Sequence, residues 1–355
     1  MIAQLAKQAG EKIDRTRKVA CRELSRVVHL SASISRSDPR FNYLTSMIPA
    51  PCSDSAGPAL DGTQDTHWSE QGVLFPILSK LLQLGPPIDR CVFQGLCIAI
   101  GGLSESLSKH ACQSLAASAN ADPALEEPCQ GSWFATTCGH VQSIFQNNHR
   151  LDRVICPLMR AVDYLATSGH LDAHASEGDL DRFASHVIDS VRAEIQNCKD
   201  LQKLMLAVSL LCTFTSKGWA VRKALQALIV QLASRFPKVE FCELSRASPT
   251  GQFTRSASLF PPLSLPPGQV RIHTAENMYM ALLTVLDEDM DTEGACQVLE
   301  EIRWDDDLAQ VAKPARNRIV QCLGLRMPAT VAKGLATAPA AKDVKITADV
   351  PLIAA

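Results

Sequence analysis

Residues Gln94–Leu115 read QGLCIAIGGLSESLSKHACQSL. The run Leu96–Ile100 is apolar; Gly101 and Gly102 follow, and a second amphipathic segment starts at once. Glycine costs about 1 kcal/mol per residue inside a helix, so the pair ends the first helix. Ser104 stands where the next helix needs an N-cap, and that helix is expected to run through Ala119. The segment is one helix–turn–helix unit of the kind that stacks into an α-solenoid.

Similar units lie on both sides. Ser69, with Glu70 and Gln71, caps an expected helix through Leu84, which Gly85-Pro86-Pro87 stops. Ile88–Ile100 is the next helix, and another lies around Ser132–Gln146. Leu151, Val154, Ile155, Leu158, Met159, Val162 and Leu165 fall at i, i+3, i+4, i+7, i+8, i+11 and i+14, with Pro157 expected to kink that helix. Asp179–Asn197 carries Phe183, Val187, Val191 and Ile195 on one stripe. Leu201 to Cys212 forms another apolar face that Gly218 closes, and Val221 to Leu232 the one after. Further helices are expected over Ala275–Leu286, Thr292–Glu301 and Asp305–Leu323. Burying each large side chain of such a stripe contributes roughly 1.5–3 kcal/mol, so each helix needs neighbours on both sides. The fold expected is all-α: a HEAT/armadillo-like α-solenoid of stacked antiparallel helix pairs, with a globular helical bundle as the structural alternative.

The expected division of the chain is as follows. Residues 1–30 form an N-terminal amphipathic helix, a truncated repeat with Ile2, Leu5, Ala9 and Ile13 on its apolar side. Residues 31–66, rich in Ser, Pro, Asp and Gly, form an exposed linker. A helical-repeat domain spans 67–238. An irregular insertion with proline pairs at 261–262 and 266–267 spans 239–269. C-terminal repeats span 270–326, and an Ala-rich flexible tail spans 327–355. Cutting a solenoid bares the apolar face of its first helix, so residues 1–30 are expected to dock poorly and the isolated chain to aggregate.

Composition narrows the chemistry. The 355 residues carry a net charge of −2, so no basic excess points to nucleic acid. The 13 cysteines are scattered without a Cys-x-x-Cys pair and read as reduced structural thiols. The best apolar run, Leu96–Leu103, is far shorter than the ~20 residues a bilayer needs, so no membrane span is expected. His170 and His174 have metal-ligand spacing but sit in a loop-like stretch with no third ligand. Asp287, Asp289 and Asp291 imitate a calcium loop, yet Thr292 stands where glycine is needed and Val298 where a bidentate Glu is needed. Gly102–Ser106 fails as a nucleophile elbow, and no metal, cofactor or catalytic residue is assigned: the chain is expected not to be an enzyme. Charge is asymmetric: residues 1–30 hold seven Lys/Arg against three Asp/Glu, whereas 287–307 hold ten Asp/Glu against Arg303 alone.

Several segments together resemble the C-terminal domain of the tubulin-specific chaperone D (tubulin-folding cofactor D) family. They are the Gly-Gly-Leu-Ser-Glu-Ser run at 101–106, EKIDRTR at Glu11–Arg17, HWSEQGVLFPILSKLLQL at His67–Leu84, KDLQKL at Lys199–Leu204, VRKALQ at Val221–Gln226, RFPKV at Arg235–Val239, WDDDLAQV at Trp304–Val311 and RNRIVQCLGL at Arg316–Leu325. They fall in the family's order and cover most of residues 1–326. The resemblance implies a protein acting after the chaperonin. Such a protein binds β-tubulin, joins tubulin-folding cofactors C and E and an Arf-like small GTPase, and promotes assembly and disassembly of the αβ-tubulin heterodimer. It also implies a GTPase-activating contribution within that complex, and a cytoplasmic location with cytoskeletal or centrosomal association. The competing expectation is a helical-repeat scaffold or adaptor unrelated to tubulin. Neither nucleic acid nor membrane is an expected partner, and the contact residues are unknown.

The chain departs from the family in three places. Family members are much longer, so it is expected to be a fragment or a truncated gene model. Val239–Gln269 has no counterpart; deleting it joins Phe236-Pro237-Lys238 to Val270, and Val and Gln codons fit splice borders, so a retained intron is expected. Pro49–Asp65 differs as a variable loop.

Overall fold

The computed structural model describes residues 1–34, 39–51, 67–102, 104–120, 132–232 and 268–325, and within them contains helices and turns but no strand. In chain order the helices are α1 (Ile2–Ala9), α2 (Asp14–Ile34), α3 (Pro39–Met47), α4 (Gln71–Leu81), α5 (Ile88–Ile100), α6 (Glu105–Ala117), α7 (Trp133–Asn147), α8 (Asp152–Thr167), α9 (His170–Ala173), α10 (Glu177–Ile195), α11 (Leu201–Ser216), α12 (Val221–Leu232), α13 (Gln269–Leu282), α14 (Thr292–Glu301) and α15 (Lys313–Cys322).

Two layers follow from how these pack. One is a row in which α1 meets α5, α5 meets α8, α8 meets α11 and α11 meets α13. The other is built from the partners of the row: α2 on α1, α4 and α6 on α5, then α7, α10, α12 and α15 in succession. Each row helix is therefore held by its sequence neighbours across the layers and by the previous and next row members along the stack. This is an all-α helical-repeat solenoid. Helix α5 shows the consequence, since every residue from Cys91 to Ile100 is buried. The opening stretch of sequence, Gln94–Leu115, takes in the end of α5, the turn and most of α6.

That turn works by close approach. A Cβ on Gly101 would lie 2.5 Å from Cγ of Pro157, and one on Gly102 would lie 2.6 Å from Cδ2 of Leu107. Pro157 lies inside α8, where its ring seats against Gly101. Ser104 holds the N-cap position of α6 with an extended backbone, but its hydroxyl makes no capping bond. Instead the Ser108 hydroxyl donates to the Ile100 carbonyl across the turn. Elsewhere capping is done by side chains: Ser132 for α7, Ser176 for α10, Asp200 for α11 and Asp291 for α14. The expected cap Ser69 lies instead in a short 3₁₀ turn before α4.

The N-terminal expectations need correction. Residues 1–30 are two helices, α1 and α2, separated at Gly10. Gly10 and Gly95 touch backbone to backbone: a Cβ on Gly95 would lie 2.6 Å from the Lys7 carbonyl oxygen. Ala3, Ala6 and Ala9 are buried in that crossing. Glu11, 3% exposed, receives Arg153 from α8, and its carbonyl accepts from Arg17 Nη1. The first helix is thus docked, because small residues let its backbone reach α5. Within 31–66, expected to be an exposed linker, α2 continues to Ile34 and α3 follows, with Leu44 and Ile48 fully buried. The Ser25 hydroxyl donates to the Pro49 carbonyl, and His29 Nε2 lies 2.9 Å from the Ile48 carbonyl, tying the end of α3 to α2.

At the other end α13 starts at Gln269 and stops at Leu282, earlier on both sides than the pattern suggests. A turn of π-helix at Leu308–Ala312, capped by Asp307, precedes α15. Apart from Gly268 and Gln269, the segment expected as an insertion lies outside the described residues, as does 327–355.

Candidate protein-docking surface

Among the described residues, the row presents an outward edge of half-buried side chains. On α8 it carries half-buried Cys156, Arg160, Asp163 and Tyr164; on α11, Met205, Leu206, Ser209 and Thr213. Asp163 accepts a hydrogen bond of 2.6 Å from the Thr213 hydroxyl and joins the two helices along this edge. Burial raises its carboxyl above the usual value, against the hydrogen bonds from Thr213 and Ser209. On α13 the same periodicity brings out Ile272, Glu276, Tyr279 and Met280, with Leu283 just past its end.

The last of these helices borders a groove of about 540 Å³ between α13 and α14. Ile272, Ala275, Tyr279 and Met280 line it from α13, and Leu299, Glu300 and Ile302 from the end of α14. Trp304, only 4% exposed, contributes to the lining, its indole N–H donating to the Leu299 carbonyl at 3.0 Å. Arg271 clamps the turn that carries it, donating to the carbonyls of Trp304, Asp305 and Asp306. Gly268 lets that turn approach α13, since a Cβ there would lie 2.7 Å from Asp305 Cα. The groove wall is therefore held by side-chain hydrogen bonds to backbone carbonyls. Beside it, Met280 is 63% exposed and Leu283 59%, and Leu286 follows at 99%. Apolar side chains this exposed and this close together make this face the candidate docking surface.

Two polar clusters sit inside the stack, away from this edge. Lys203 lies between Glu194 at 2.6 Å and Asp152 at 2.7 Å, joining α10, α11 and α8. Burial would lower its pKa, but the hydrogen bonds to both carboxylates outweigh this and hold it above the lysine value. Glu194 is held below the carboxylate range in spite of burial by Lys203, the Arg150 amide and His149. Arg150 takes a left-handed backbone, φ 62, where its N–H donates to Glu194. His140 lies 3.5 Å from Asp89 and against the Phe93 ring. Burial depresses its pKa, with Asp89 opposing and Arg90 assisting.

The other residues singled out in the sequence take structural places. His170 starts the short α9, while His174 packs its ring against Trp133 at 5.3 Å. Asp291 caps α14, and Asp287 and Asp289 both face Arg222. No group of three metal-ligating side chains occurs among the described residues. Burial pushes Cys21, Cys138 and Cys212 up to about 12, so their thiols stay protonated near neutrality. None of the described helices is long and apolar enough to cross a membrane.

The periodicity missed the groove. Its signal was present: apolar residues occur on both faces of α13, buried Val270, Met278 and Leu282 on one side and Ile272, Tyr279 and exposed Met280 on the other. Trp304 comes from a separate segment, and only the fold brings it to α13.

The family model for the tubulin folding cofactor D C terminal matches residues 1–203, more than half of the chain and all of the structure from α1 to the first turn of α11. No solved structure matches.

Proposed function

The chain belongs to the tubulin folding cofactor D C-terminal family, and on that premise we propose that it is a protein-binding chaperone segment that takes part in tubulin folding. β-Tubulin is the partner, and the work is assembly and disassembly of the αβ heterodimer together with cofactors C and E and an Arf-like GTPase. The mechanism is differential binding: a surface that favours one tubulin conformation or interface shifts its population. Any effect on GTP hydrolysis acts on nucleotide held by tubulin, as a contribution to a larger complex. The setting is the cytoplasm, with the cytoskeleton as the place of use.

The family match over residues 1–203 carries this reading. The outward edge of α8, α11 and α13 supports it physically, because a stack of helices offers a long contiguous surface able to hold a large folded partner. The test is capture from cell extract on the immobilised chain. β-Tubulin should be enriched, and Met205→Asp on the α11 edge should reduce the yield while leaving the helical circular dichroism unchanged. Extract proteins retained without tubulin would instead identify a scaffold unrelated to it.

A further inference from the structure

The groove between α13 and α14 has a chemistry of its own. Its lining is apolar at the centre, with Trp304, Leu299 and Ala275 beneath Ile272, Tyr279 and Met280. Its charged margin holds Glu276 on α13, Glu300 at the end of α14, and the pair Arg303–Asp305 at 3.7 Å. Arg303 is thus answered by Asp305, while Glu276 and Glu300 are in no ion pair among the described residues. One carboxylate therefore stands on each of the two helices that form the walls. Around them the stretch 287–307 carries ten acids against one Arg. Of these acids, Asp291 and Asp307 are used as helix caps, Asp287 and Asp289 face Arg222, and Glu301 faces Arg318.

We propose that this groove, resting on the protein-binding reading above, docks an amphipathic basic helix supplied by a partner protein. The geometry specifies its pattern. An apolar stripe at i, i+3/i+4 and i+7 fills the slot between the two helices, in the manner of a helix laid in a groove. Lys or Arg flanks that stripe on both sides and meets Glu276 on one wall and Glu300 on the other. An acidic helix would place like charges against these carboxylates, and a neutral one would leave them unanswered. Charge here selects the partner and speeds its arrival, while Tyr279, Met280 and Trp304 supply the apolar contact.

The experiment is fluorescence anisotropy on the full chain with a labelled Leu/Lys helix of about 18 residues, long enough for five turns. The probes for comparison are its Leu/Glu counterpart and a scrambled sequence of the same composition. The Leu/Lys helix should bind, more weakly at higher salt, and the other two should not. Glu276→Lys with Glu300→Lys should weaken binding about tenfold, since two margin contacts are lost and repulsion replaces them. Met280→Asp should abolish it, and because all three residues are exposed, unchanged circular dichroism should accompany each loss. Equal binding of the Leu/Glu helix, or indifference to the double substitution, would overturn the proposal. So would an absence of peptide binding accompanied by self-association that Arg22→Glu and Arg26→Glu remove, since the occupant would then be the basic α2 face of a second copy. Tubulin capture is scored separately, so a failed peptide assay with tubulin still retained refutes this groove assignment alone.

Discussion

Replacing Gly95 by alanine should destabilise the protein, although the same change inside a helix ordinarily does the reverse. Gly95 sits mid-way along α5, where alanine is favoured over glycine by about 1 kcal/mol. Yet its Cβ would lie 2.6 Å from the Lys7 carbonyl oxygen, 3.2 Å from Lys7 Cα and 3.3 Å from Lys7 C. All three are backbone atoms, so no side chain can swing aside. Helix α1 would have to withdraw by about 0.6 Å, and a gap of that size forfeits roughly a quarter to a half of each dispersion contact. Buried Ala3, Ala6 and Ala9, with Ile2 and Leu5 beside them, would lose packing together. Overpacking of this kind costs about 1–3 kcal/mol and outweighs the propensity gain, for a net loss of about 1–2 kcal/mol with the lost packing included. Gly139 in α7 provides the control, being exposed with nothing within 4 Å of an added Cβ. Gly139→Ala should stabilise by about 0.5–1 kcal/mol. In thermal melts followed at 222 nm, Gly95→Ala should fall by about 2–8 °C and Gly139→Ala should rise, at about 2–4 °C per kcal/mol. Tryptic cleavage at Lys7 and Lys12 should speed up only in Gly95→Ala. A Gly95→Ala protein that melts at or above the parent temperature would refute the docking of α1 on α5.

Three further outcomes follow from the interior. Lys203→Met should cost about 3–5 kcal/mol in urea unfolding, because it leaves buried Glu194 without its lysine, and Lys203→Met with Glu194→Gln should cost less than the sum of the single changes; additive losses under 1 kcal/mol would mean the ion pair carries little. His140 has a depressed pKa in the fold, so the unfolded chain binds the extra proton below its ordinary value of 6.5. Stability from this group is present above that pH and lost as pH falls, so the melting temperature should drop between pH 7 and 5 and His140→Gln should flatten the slope; parallel curves for the two proteins would remove His140 as the cause. Cys21, Cys97 and Cys212 should resist iodoacetamide at pH 7.5 in the folded protein and react in urea, as read by mass spectrometry, since burial raises each thiol.

The features that could be read from sequence are those fixed by near neighbours. Ile88–Ile100 and Thr292–Glu301 have the expected ends, because glycine after Ile100 and the Asp291 cap before Thr292 act within one turn. The break at Gly10 depends on Gly95, which is 85 positions away, so the apolar spacing ran on through it as one helix. Helix α3 lies in a stretch whose Ser, Pro and Asp content suggests a connection. Its hold on the fold comes from Leu44 and Ile48 meeting α2, a long-range fact. The groove was hidden for the same reason, since Arg271 draws Trp304 to α13 through carbonyl contacts no periodicity encodes. The acidic run at 287–307 was visible as composition, but which of its carboxylates remain unpaired is settled only by the positions of Arg222, Arg318 and the caps.

The row geometry also fixes how far a perturbation should travel. In a solenoid each repeat touches only its neighbours, so stability is close to a sum of local terms and interfaces. Helix α1 and the groove helix α13 are separated by α5, α8 and α11, four steps of about 8–10 Å, or roughly 32–40 Å along the row. Substitutions this far apart with no shared partner should be additive within about 0.5 kcal/mol. Gly95→Ala should therefore lower the melting temperature and leave the Leu/Lys helix bound with unchanged affinity, while Glu276→Lys with Glu300→Lys should do the converse. Anisotropy and melting on the triple variant separate the two cases. If loosening α1 weakened the peptide more than about twofold, the two ends would be coupled through the row, and the chain would behave as one cooperative body instead of a stack of nearest-neighbour units.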